Sequence, residues 1–211
     1  MRLYVMRHGE TQWNKEHRLA GRTDVLLNKN GIRLASLTAE GLKDVKFDLC
    51  ISSPLQRALE TARIVLNNRN VPIICDDGLI EISFGDYEGR VCQDDNKNIL
   101  MEEYAYFRND PFGFKGMPHG ESIQDVIKRA EEKYKEIIQN PDYQDKTLLI
   151  STHGCFYRAF LNSIYDNPDD FWQGGVPKNC AVSVVDINNG KAKILKSDII
   201  YYNVQLALQD V

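Results

Sequence analysis

The chain has 211 residues, of which 27% are charged, and its formal net charge at pH 7 is −4. This length suits one compact domain that buries roughly 70% of its unfolded surface, so we predict a single domain over residues 1–211. Because the net charge is negative, the protein as a whole has no positive electrostatic field that would attract nucleic acid or an anionic membrane. No apolar stretch approaches the roughly 20 residues of a membrane span, and the first residues lack a signal-peptide pattern, so we expect a cytoplasmic protein. The sequence leaves open whether it is a monomer or a homodimer.

The first predicted strand, residues 3–6, runs directly into the motif Arg7-His8-Gly9. A guanidinium and an imidazole therefore lie side by side where a buried strand ends. Gly9 has no side chain, so the backbone can turn sharply and approach an anion while the loop N–H groups point at it. Such a group of residues is suited to transferring a phosphoryl group through a histidine.

The second predicted strand, residues 49–52, is followed by the start of a helix. Ser53 is predicted as the N-cap and Pro54 as the first helical residue, after which apolar residues recur on one helical face. Arg57 then lies in the first turn of this helix. Its guanidinium can contribute to an anion site beside the first motif.

Three further β-rich runs alternate with segments of helical period, and a tight turn at residues 188–190 closes a hairpin. These runs are residues 73–75, 148–151 and 181–186. Helices are predicted over residues 122–139 and from His153 onward. The alternation predicts an α/β fold, a three-layer α/β/α sandwich with a mostly parallel central sheet.

Residues 90–119 lack a simple period, so we predict a short lid insertion packed over the carboxyl edge of the sheet, where ligands bind in open α/β sheets. The formal charge of this segment is negative: its basic residues are Arg90, Lys97, Arg108 and Lys115, and its acidic residues are Asp94, Asp95, Glu102, Glu103 and Asp110. We therefore expect the lid to present negative charge to the substrate and to repel a bisphosphorylated sugar acid. Its aromatic residues are Tyr104, Tyr106, Phe107, Phe112 and Phe114. The aromatic content favours a leaving group with an apolar or aromatic portion.

His8 and His153 each lie at or near the end of a predicted strand, and each precedes a glycine. If the two strands are parallel, the imidazoles meet at one edge of the sheet. A phosphate group needs several fixed cationic donors, which Arg7, Arg57 and His153 can supply. One imidazole must attack phosphorus through an unprotonated nitrogen, and the neighbouring guanidinium groups lower its pKa. The residues alone do not decide which histidine attacks.

An alkyl phosphate loses a poor alkoxide leaving group unless a proton arrives during cleavage, so the site needs a general acid. Glu81, which follows an apolar run and precedes Phe84-Gly85, is the candidate. Burial beside a phosphate is expected to raise its pKa towards neutrality, so that it donates a proton and then activates water. Glu88 is the rival carboxylate, and its alternative interpretation is a structural residue that binds loop N–H groups.

Four segments together resemble the histidine phosphatase superfamily, also called the phosphoglycerate-mutase-like family. They are residues 7–11, 52–58, 81–89 and 151–154, and the match runs from the first residue to about the C-terminal hairpin. The resemblance implies that His8 is the nucleophile and that Glu81 is the general acid. It also implies that the phosphate is bound by Arg7, Arg57, His153 and Gly154.

The same resemblance places further residues at the substrate. Asn14 stands where family members carry an asparagine that reaches the phosphate. Gly21 and Thr23 match a loop that borders the substrate in the family. Arg22, between them, is either a substrate contact or a solvated loop charge.

Residues 118–122, with Asp125 and Arg129, resemble the P-x-G-E-S…R segment of the family's broad-specificity and cobalamin-pathway phosphatases. The family's mutases carry an adjacent arginine pair and a longer lid insertion, and this chain has no Arg-Arg dipeptide. The resemblance therefore implies a phosphomonoesterase that acts through a phosphohistidine, with α-ribazole 5′-phosphate as one candidate substrate. The runner-up is a cofactor-dependent phosphoglycerate mutase. A non-catalytic phospho-ligand binding protein is disfavoured because the nucleophile and the acid are both present.

Neither a metal nor another cofactor is expected. The four histidines form no H-x-x-x-H or H-E-x-x-H pattern, and His17 and His119 are expected to do no chemistry. No G-x-x-x-x-G-K-S/T or G-x-G-x-x-G sequence predicts a nucleotide site. The expected partner is a small-molecule phosphate ester.

Overall fold

The computed structural model describes residues 1–67 and 69–202, and within them six strands form one sheet in the order β3-β2-β4-β1-β5-β6. The strands are β1 Arg2–Arg7, β2 Leu49–Ser52, β3 Ile73–Cys75, β4 Thr147–Thr152, β5 Val182–Asn188 and β6 Lys191–Ile199. The first four are parallel to one another, and β5 and β6 are antiparallel to their neighbours. The predicted α/β fold with a mostly parallel sheet is confirmed. Residues 203–211, the end of the predicted single domain, lie outside the described residues.

Helices cover both faces of the sheet, because its central strands carry apolar side chains on both sides. In β1, Leu3 and Val5 belong to a core shared with two helices and the lid, whereas Met6 belongs to a second core on the opposite face. The helices are α1 Gln12–Lys15, α2 Lys29–Gly41, α3 Gln56–Leu66, α4 Glu102–Asn109, α5 Ile123–Gln139 and α6 Gly154–Leu161. Helices α2 and α3 pack on the second core, and α5 and α6 pack on the first. None of the described helices is long and apolar enough to cross a membrane.

The predicted boundaries of α5 and the predicted turn of the closing hairpin agree closely with the structure. Ser122 is the N-cap of α5 and forms a capping box with Asp125, and the helix ends at Gln139, with Asn140 as its C-cap before a proline. The hairpin between β5 and β6 turns at Asn189 and Gly190, which both have positive φ angles, as a tight hairpin turn requires.

The predicted start of α3 is wrong by two residues. Leu55, not Ser53, occupies the N-cap position, and the helix begins at Gln56. The N–H of Gln56 donates to the carboxylate of Asp24 at 2.7 Å, so the cap comes from another loop. The Ser53 hydroxyl lies 2.7 Å from Nε2 of His153, so it serves a tertiary contact. Arg57 still lies in the first turn, as predicted.

The lid contains helix α4, which the sequence analysis did not identify. Its residue Phe107 is the centre of an aromatic cluster, with ring centroids 5.0 to 5.8 Å from those of its neighbours Phe84, Tyr104, Phe114 and Trp172. The indole N–H of Trp172 also donates to the Phe107 carbonyl at 3.2 Å. The cluster therefore ties the lid to the rest of the domain, and much of the aromatic content of the segment serves packing.

Candidate active site

The parallel pairing of β1 and β4 brings His8 and His153 together at the carboxyl edge of the sheet. Arg7 pairs with Thr152 at the last register position, and the N–H of His8 donates to the carbonyl of Thr152 at 2.9 Å. The two imidazole ring centroids lie 5.2 Å apart, with the ring planes inclined at 58°. Both rings are almost fully buried. Two residues that are 145 positions apart in the chain thus form one site, as the sequence predicted.

The tautomer of His8 follows from its contact with the backbone. Its Nδ1 atom lies 2.6 Å from the carbonyl oxygen of Gly9, and because a carbonyl only accepts, the proton is on Nδ1. The other nitrogen, Nε2, then carries a lone pair. Burial lowers the pKa of His8 well below its ordinary value, and the charges of Arg57 and Arg7 lower it further. His8 is therefore an uncharged imidazole with one nitrogen able to attack phosphorus.

Three buried nitrogen atoms around His8 have no hydrogen-bond partner among the described residues. They are Nε of Arg7, Nε of Arg57 and Nδ1 of His153. The two guanidinium nitrogens are donors, and Nδ1 of His153 is a donor in the tautomer in which the Ser53 hydroxyl donates to Nε2. Unpaired buried donors of this kind are costly unless a ligand binds them. Two of the three belong to guanidinium groups, whose geometry matches the oxygens of a phosphate. This cluster, which we call the phosphoryl cradle, is suited to bind a phosphoryl group beside Nε2 of His8.

The cradle arginines are held by backbone carbonyls. Arg57 donates to the carbonyl oxygens of Thr23 at 2.8 Å and Gly21 at 2.6 Å, and Arg7 donates to that of Pro177. Burial lowers the pKa of Arg57 to about 10, so it stays charged at neutral pH.

His153, the third member of the cradle, is held by its contact with Ser53. Its pKa is lowered by burial and by the charges of the neighbouring arginines. Each of these three side chains thus keeps one buried nitrogen without a hydrogen-bond partner among the described residues.

The predicted loop residues Gly21 and Thr23 act on the site through Arg57 rather than through their side chains. The hydroxyl of Thr23 donates to the carboxylate of Glu88 at 2.6 Å. Gly21 has a φ of +52°, and a Cβ there would lie 2.0 Å from the same carboxylate. Glu88 also accepts the N–H groups of Arg22, Thr23 and Phe84, which agrees with its structural interpretation.

Asn14 lines the cleft and belongs to α1, the short helix that follows β1. Its Oδ1 atom accepts from the N–H of Thr11 at 3.1 Å and from Nδ2 of Asn179 at 3.3 Å, which leaves its own Nδ2 as a donor. Sequence reasoning missed Asn179, which also donates to the carbonyl of His8 at 3.1 Å. The available signal was its position: it lies three residues before the antiparallel strand β5, whose start lies at the same edge of the sheet as the end of β1.

Glu81 lies against the first turn of α6. Its two carboxylate oxygens accept the N–H groups of Cys155 at 3.1 Å and Phe156 at 3.0 Å, which are otherwise unpaired at a helix start. Glu81 also interacts electrostatically with Arg7 and Arg57. The carboxylate is therefore fixed at the rim of the phosphoryl cradle.

Gly154, the residue before Cys155, packs closely against the cradle. A Cβ atom added to it would lie 2.9 Å from the side chain of Val176 and 3.5 Å from Nε of Arg7.

A cleft of about 510 Å³ extends from the cradle under the lid. Its aromatic wall is formed by Phe84, Tyr104, Phe107 and Trp172. The basic residues that line it are Arg7, Arg18, Arg57, Lys97, Arg108 and Lys178, and the acidic residues are Glu10 and Glu81. His17 lines the cleft as well, whereas His119 is exposed and pairs with Asp86 at 3.0 Å. Within residues 1–67 and 69–202, no group of three His, Cys, Asp or Glu residues could hold a metal ion.

The expectation that the lid presents negative charge to the substrate is wrong, because the acidic side chains of the lid do not line the cleft. None of the five acidic residues of segment 90–119 lines the cleft, while Lys97 and Arg108 do. The carboxylates serve other contacts: Glu103 accepts the hydroxyl of Tyr87 at 2.8 Å, and Asp94 accepts N–H groups within its own turn. The sum of formal charges over the segment therefore has the opposite sign to the charge at the cleft wall.

The lowered pKa of His8 predicts the pH dependence of turnover. If His8 is the nucleophile of a phosphatase, attack needs its uncharged imidazole. The kcat/KM for p-nitrophenyl phosphate, corrected for ionisation of the substrate, should then stay level as pH falls through the ordinary value of 6.5 and decline only below it. Replacing Arg57 by glutamine removes a charge that lowers this pKa and should move the acid limb to higher pH. An acid limb of the unmodified protein at or above pH 6.5 would contradict the assignment.

The chain belongs to the histidine phosphatase superfamily (branch 1), whose family model matches residues 3–199. It is 32% identical over 191 residues to the adenosylcobalamin/alpha-ribazole phosphatase of Escherichia coli, covering 89% of this chain and 91% of that protein. It is 34% identical over 164 residues to a phosphoglycerate mutase of Schizosaccharomyces pombe, covering 75% and 77%. It matches a probable 2-carboxy-D-arabinitol-1-phosphatase of Arabidopsis thaliana with 28% identity over 88% of this chain but spans only 38% of that protein.

A solved structure is similar to this chain over nearly its whole length. The structure of YhfR from Bacillus stearothermophilus superposes with a TM-score of 0.84 and 30% sequence identity, covering 95% of this chain and 98% of that one. The predicted resemblance to the superfamily is thus confirmed, and its named relatives include both phosphatases and mutases.

Proposed function

We propose that this protein is a metal-independent phosphomonoesterase that hydrolyses a small phosphorylated metabolite through a phosphohistidine on His8. The observation that carries the proposal is the phosphoryl cradle. Nε2 of His8 carries a lone pair, and Arg7, Arg57 and His153, which interact electrostatically with His8, each have a buried nitrogen without a partner among the described residues. This arrangement provides a nucleophile and fixed positive charge at one point.

The first step transfers the phosphoryl group to His8. The lone pair of Nε2 attacks phosphorus, the ester P–O bond breaks, and its electron pair goes to the leaving oxygen. Arg7, Arg57 and His153 donate to the three non-bridging oxygens, where charge is spread in a loose transition state. Glu81 in its carboxylic acid form gives its proton to the leaving oxygen, which departs as an alcohol.

The second step returns the nitrogen to its starting state. Water attacks the phosphohistidine, and Glu81, now a carboxylate, takes a proton from that water. The N–P bond breaks, its electron pair returns to Nε2, and inorganic phosphate leaves. Of the two carboxylates that line the cleft in the described part of the chain, Glu81 is favoured for this role because it interacts electrostatically with both cradle arginines, Arg7 and Arg57.

The cleft wall supports two kinds of substrate. Its aromatic side chains suit a leaving group with an apolar or aromatic portion, such as α-ribazole 5′-phosphate. Its cations Lys97, Arg108 and Lys178 favour the second candidate function, a phosphoglycerate mutase, because a doubly anionic sugar acid would not be repelled there. Hydrolysis remains the proposal because the chain lacks the arginine pair and the longer lid insertion of the mutases.

The experiment compares hydrolysis with isomerisation in the same purified protein. Phosphate release is measured over a panel of monoesters, and conversion of 3-phosphoglycerate to 2-phosphoglycerate is measured with catalytic 2,3-bisphosphoglycerate. We expect release from at least one monoester to exceed isomerisation clearly. Isomerisation faster than hydrolysis of every monoester would replace the proposal by the mutase. Tight binding of phosphate esters without either reaction would identify a phospho-ligand binding protein.

A further inference from the structure

The segment at residues 118–122, together with Arg129, has no part in the reaction as described above. Within it, Ser122 pairs with Asp125 to begin α5, which is a structural task. Glu121 and Arg129 instead bind another part of the molecule. Their target is residues 80–83, which we call the Glu81 segment.

Hydrogen bonds from this pair flank Glu81 on both sides. Nη1 of Arg129 donates to the carbonyl of Ile80 at 2.7 Å, and Glu121 accepts the N–H of Ser83 at 2.9 Å. The N–H of Glu121 donates in turn to the carbonyl of Ser83 at 2.9 Å. The backbone just before and just after the general acid is thus anchored to side chains from one short stretch of chain.

The anchoring pair is itself rigid. Arg129 donates to both carboxylate oxygens of Glu121, at 3.0 and 3.2 Å, which is a two-point contact that fixes the plane of the guanidinium. The guanidinium also lies 5.0 Å from the ring centroid of Phe156. The N–H of Phe156 donates to the carboxylate of Glu81. Arg129 therefore contacts both the chain that carries Glu81 and the residue that holds its carboxylate.

Arg22 connects the pair to the phosphoryl cradle. Its Nη2 atom lies 2.9 Å from Glu121, and its Nε atom lies 3.5 Å from the carbonyl of Glu81. The residues on either side of Arg22 supply the carbonyls that hold Arg57. The side chain of Arg22, which the sequence left undecided, thus lies against the Glu81 segment.

We propose that Glu121 and Arg129 are positioning residues that hold Glu81 where it can protonate the leaving oxygen. This inference rests on the proposed phosphomonoesterase reaction. A general acid acts only within hydrogen-bond reach of its target, and a misplacement of about 1 Å can cost on the order of 10² in rate. Loss of the pair should therefore impair protonation of the leaving group and leave phosphate binding intact.

The test compares leaving groups in the variants Arg129→Met and Glu121→Gln. The kcat for an alkyl phosphate should fall about 10-fold or more beyond any fall for p-nitrophenyl phosphate, whose leaving group barely needs a proton. KM and the inhibition constant of inorganic phosphate should stay close to those of the unmodified protein. Glu121→Gln nearly preserves shape and serves if Arg129→Met does not fold.

Lys133→Met is the matched control. Lys133 lies one turn further along α5, is 13% exposed and binds Asp76 at 2.8 Å, so it also ties the helix to a loop but does not touch the Glu81 segment. We expect this variant to affect both substrates equally. Equal losses on both substrates for Arg129→Met and Glu121→Gln as well, or no loss, would overturn the positioning role.

Glu81→Gln separates this inference from the proposed function. Suppose that Glu81→Gln selectively impairs the hydrolysis of alkyl phosphates while the Arg129 and Glu121 variants do not. The positioning role of Glu121 and Arg129 is then refuted, and the proposed phosphomonoesterase reaction is retained. If Glu81→Gln leaves hydrolysis of alkyl phosphates unchanged, the acid role of Glu81 fails, and with it both the proposed mechanism and this inference.

Discussion

Replacing His8 by alanine is expected to abolish turnover, with a loss on the order of 10⁴ to 10⁶ in kcat, because no other group can accept the phosphoryl group. Among the described residues, the second imidazole at the cradle is that of His153, whose Nε2 atom contacts Ser53 and whose Nδ1 atom is assigned to a phosphate oxygen. The measurement is phosphate release from p-nitrophenyl phosphate by the purified variant.

The matched control for this variant is His119→Ala. That histidine is exposed and contacts Asp86 on the outside of the molecule, so its removal should leave kcat within about 2-fold of the unmodified protein. Inorganic phosphate should still raise the melting temperature of His8→Ala, since the cradle donors remain. Turnover by a folded His8→Ala protein near the original rate would show that another group is the nucleophile.

Replacing Arg57 by alanine should lower kcat/KM by about 10² to 10⁴, the range for removal of preorganised charge at a transition state. The side chain is fully buried, supplies one of the unpaired donors of the cradle, and also holds the loop at Gly21 and Thr23. Arg57→Lys should recover little, because an ammonium cannot bind two carbonyls and a phosphate oxygen in one plane.

Arg63→Ala is the control for the Arg57 variants. Arg63 is an exposed arginine near the end of the same helix, α3, so the variant removes a guanidinium without touching the cradle. The readouts are kcat/KM and the inhibition constant of vanadate, and both should worsen for Arg57→Ala alone. A folded Arg57→Ala protein with nearly full activity would contradict the phosphate role of this arginine.

The strands and the long helix α5 could be predicted because their signals are local. Apolar runs with β-branched residues mark the strands, and a capping residue with an apolar stripe marks α5. Helix α4 was missed because its aromatic residues have different tasks: Tyr104 and Phe107 are buried in the cluster, whereas Tyr106 is 54% exposed. The start of α3 was misplaced because Ser53 binds His153, a contact between residues 100 positions apart.

The cradle could be predicted because parallel strands bring their carboxyl ends together, so residues at the ends of β1 and β4 must meet. The contacts of Gly21 and Thr23 with Arg57 could not be predicted from the sequence, because they are made by backbone carbonyls, which every residue has. The charge of the cleft wall was misjudged because a sum of formal charges ignores side-chain direction. Lys97 and Arg108 line the cleft, and the acidic residues of the lid do not.

Rapid-quench trapping of the phosphoenzyme tests the proposed reaction most directly. The protein is mixed with labelled p-nitrophenyl phosphate, whose leaving group barely needs a proton, quenched in base within milliseconds, digested, and analysed by mass spectrometry. We expect the label on His8, stable in base and lost in acid, with more of it in Glu81→Gln, where the attack of water lacks its base. Label on any other residue, or label retained by His8→Ala, would contradict transfer through a phosphohistidine at His8.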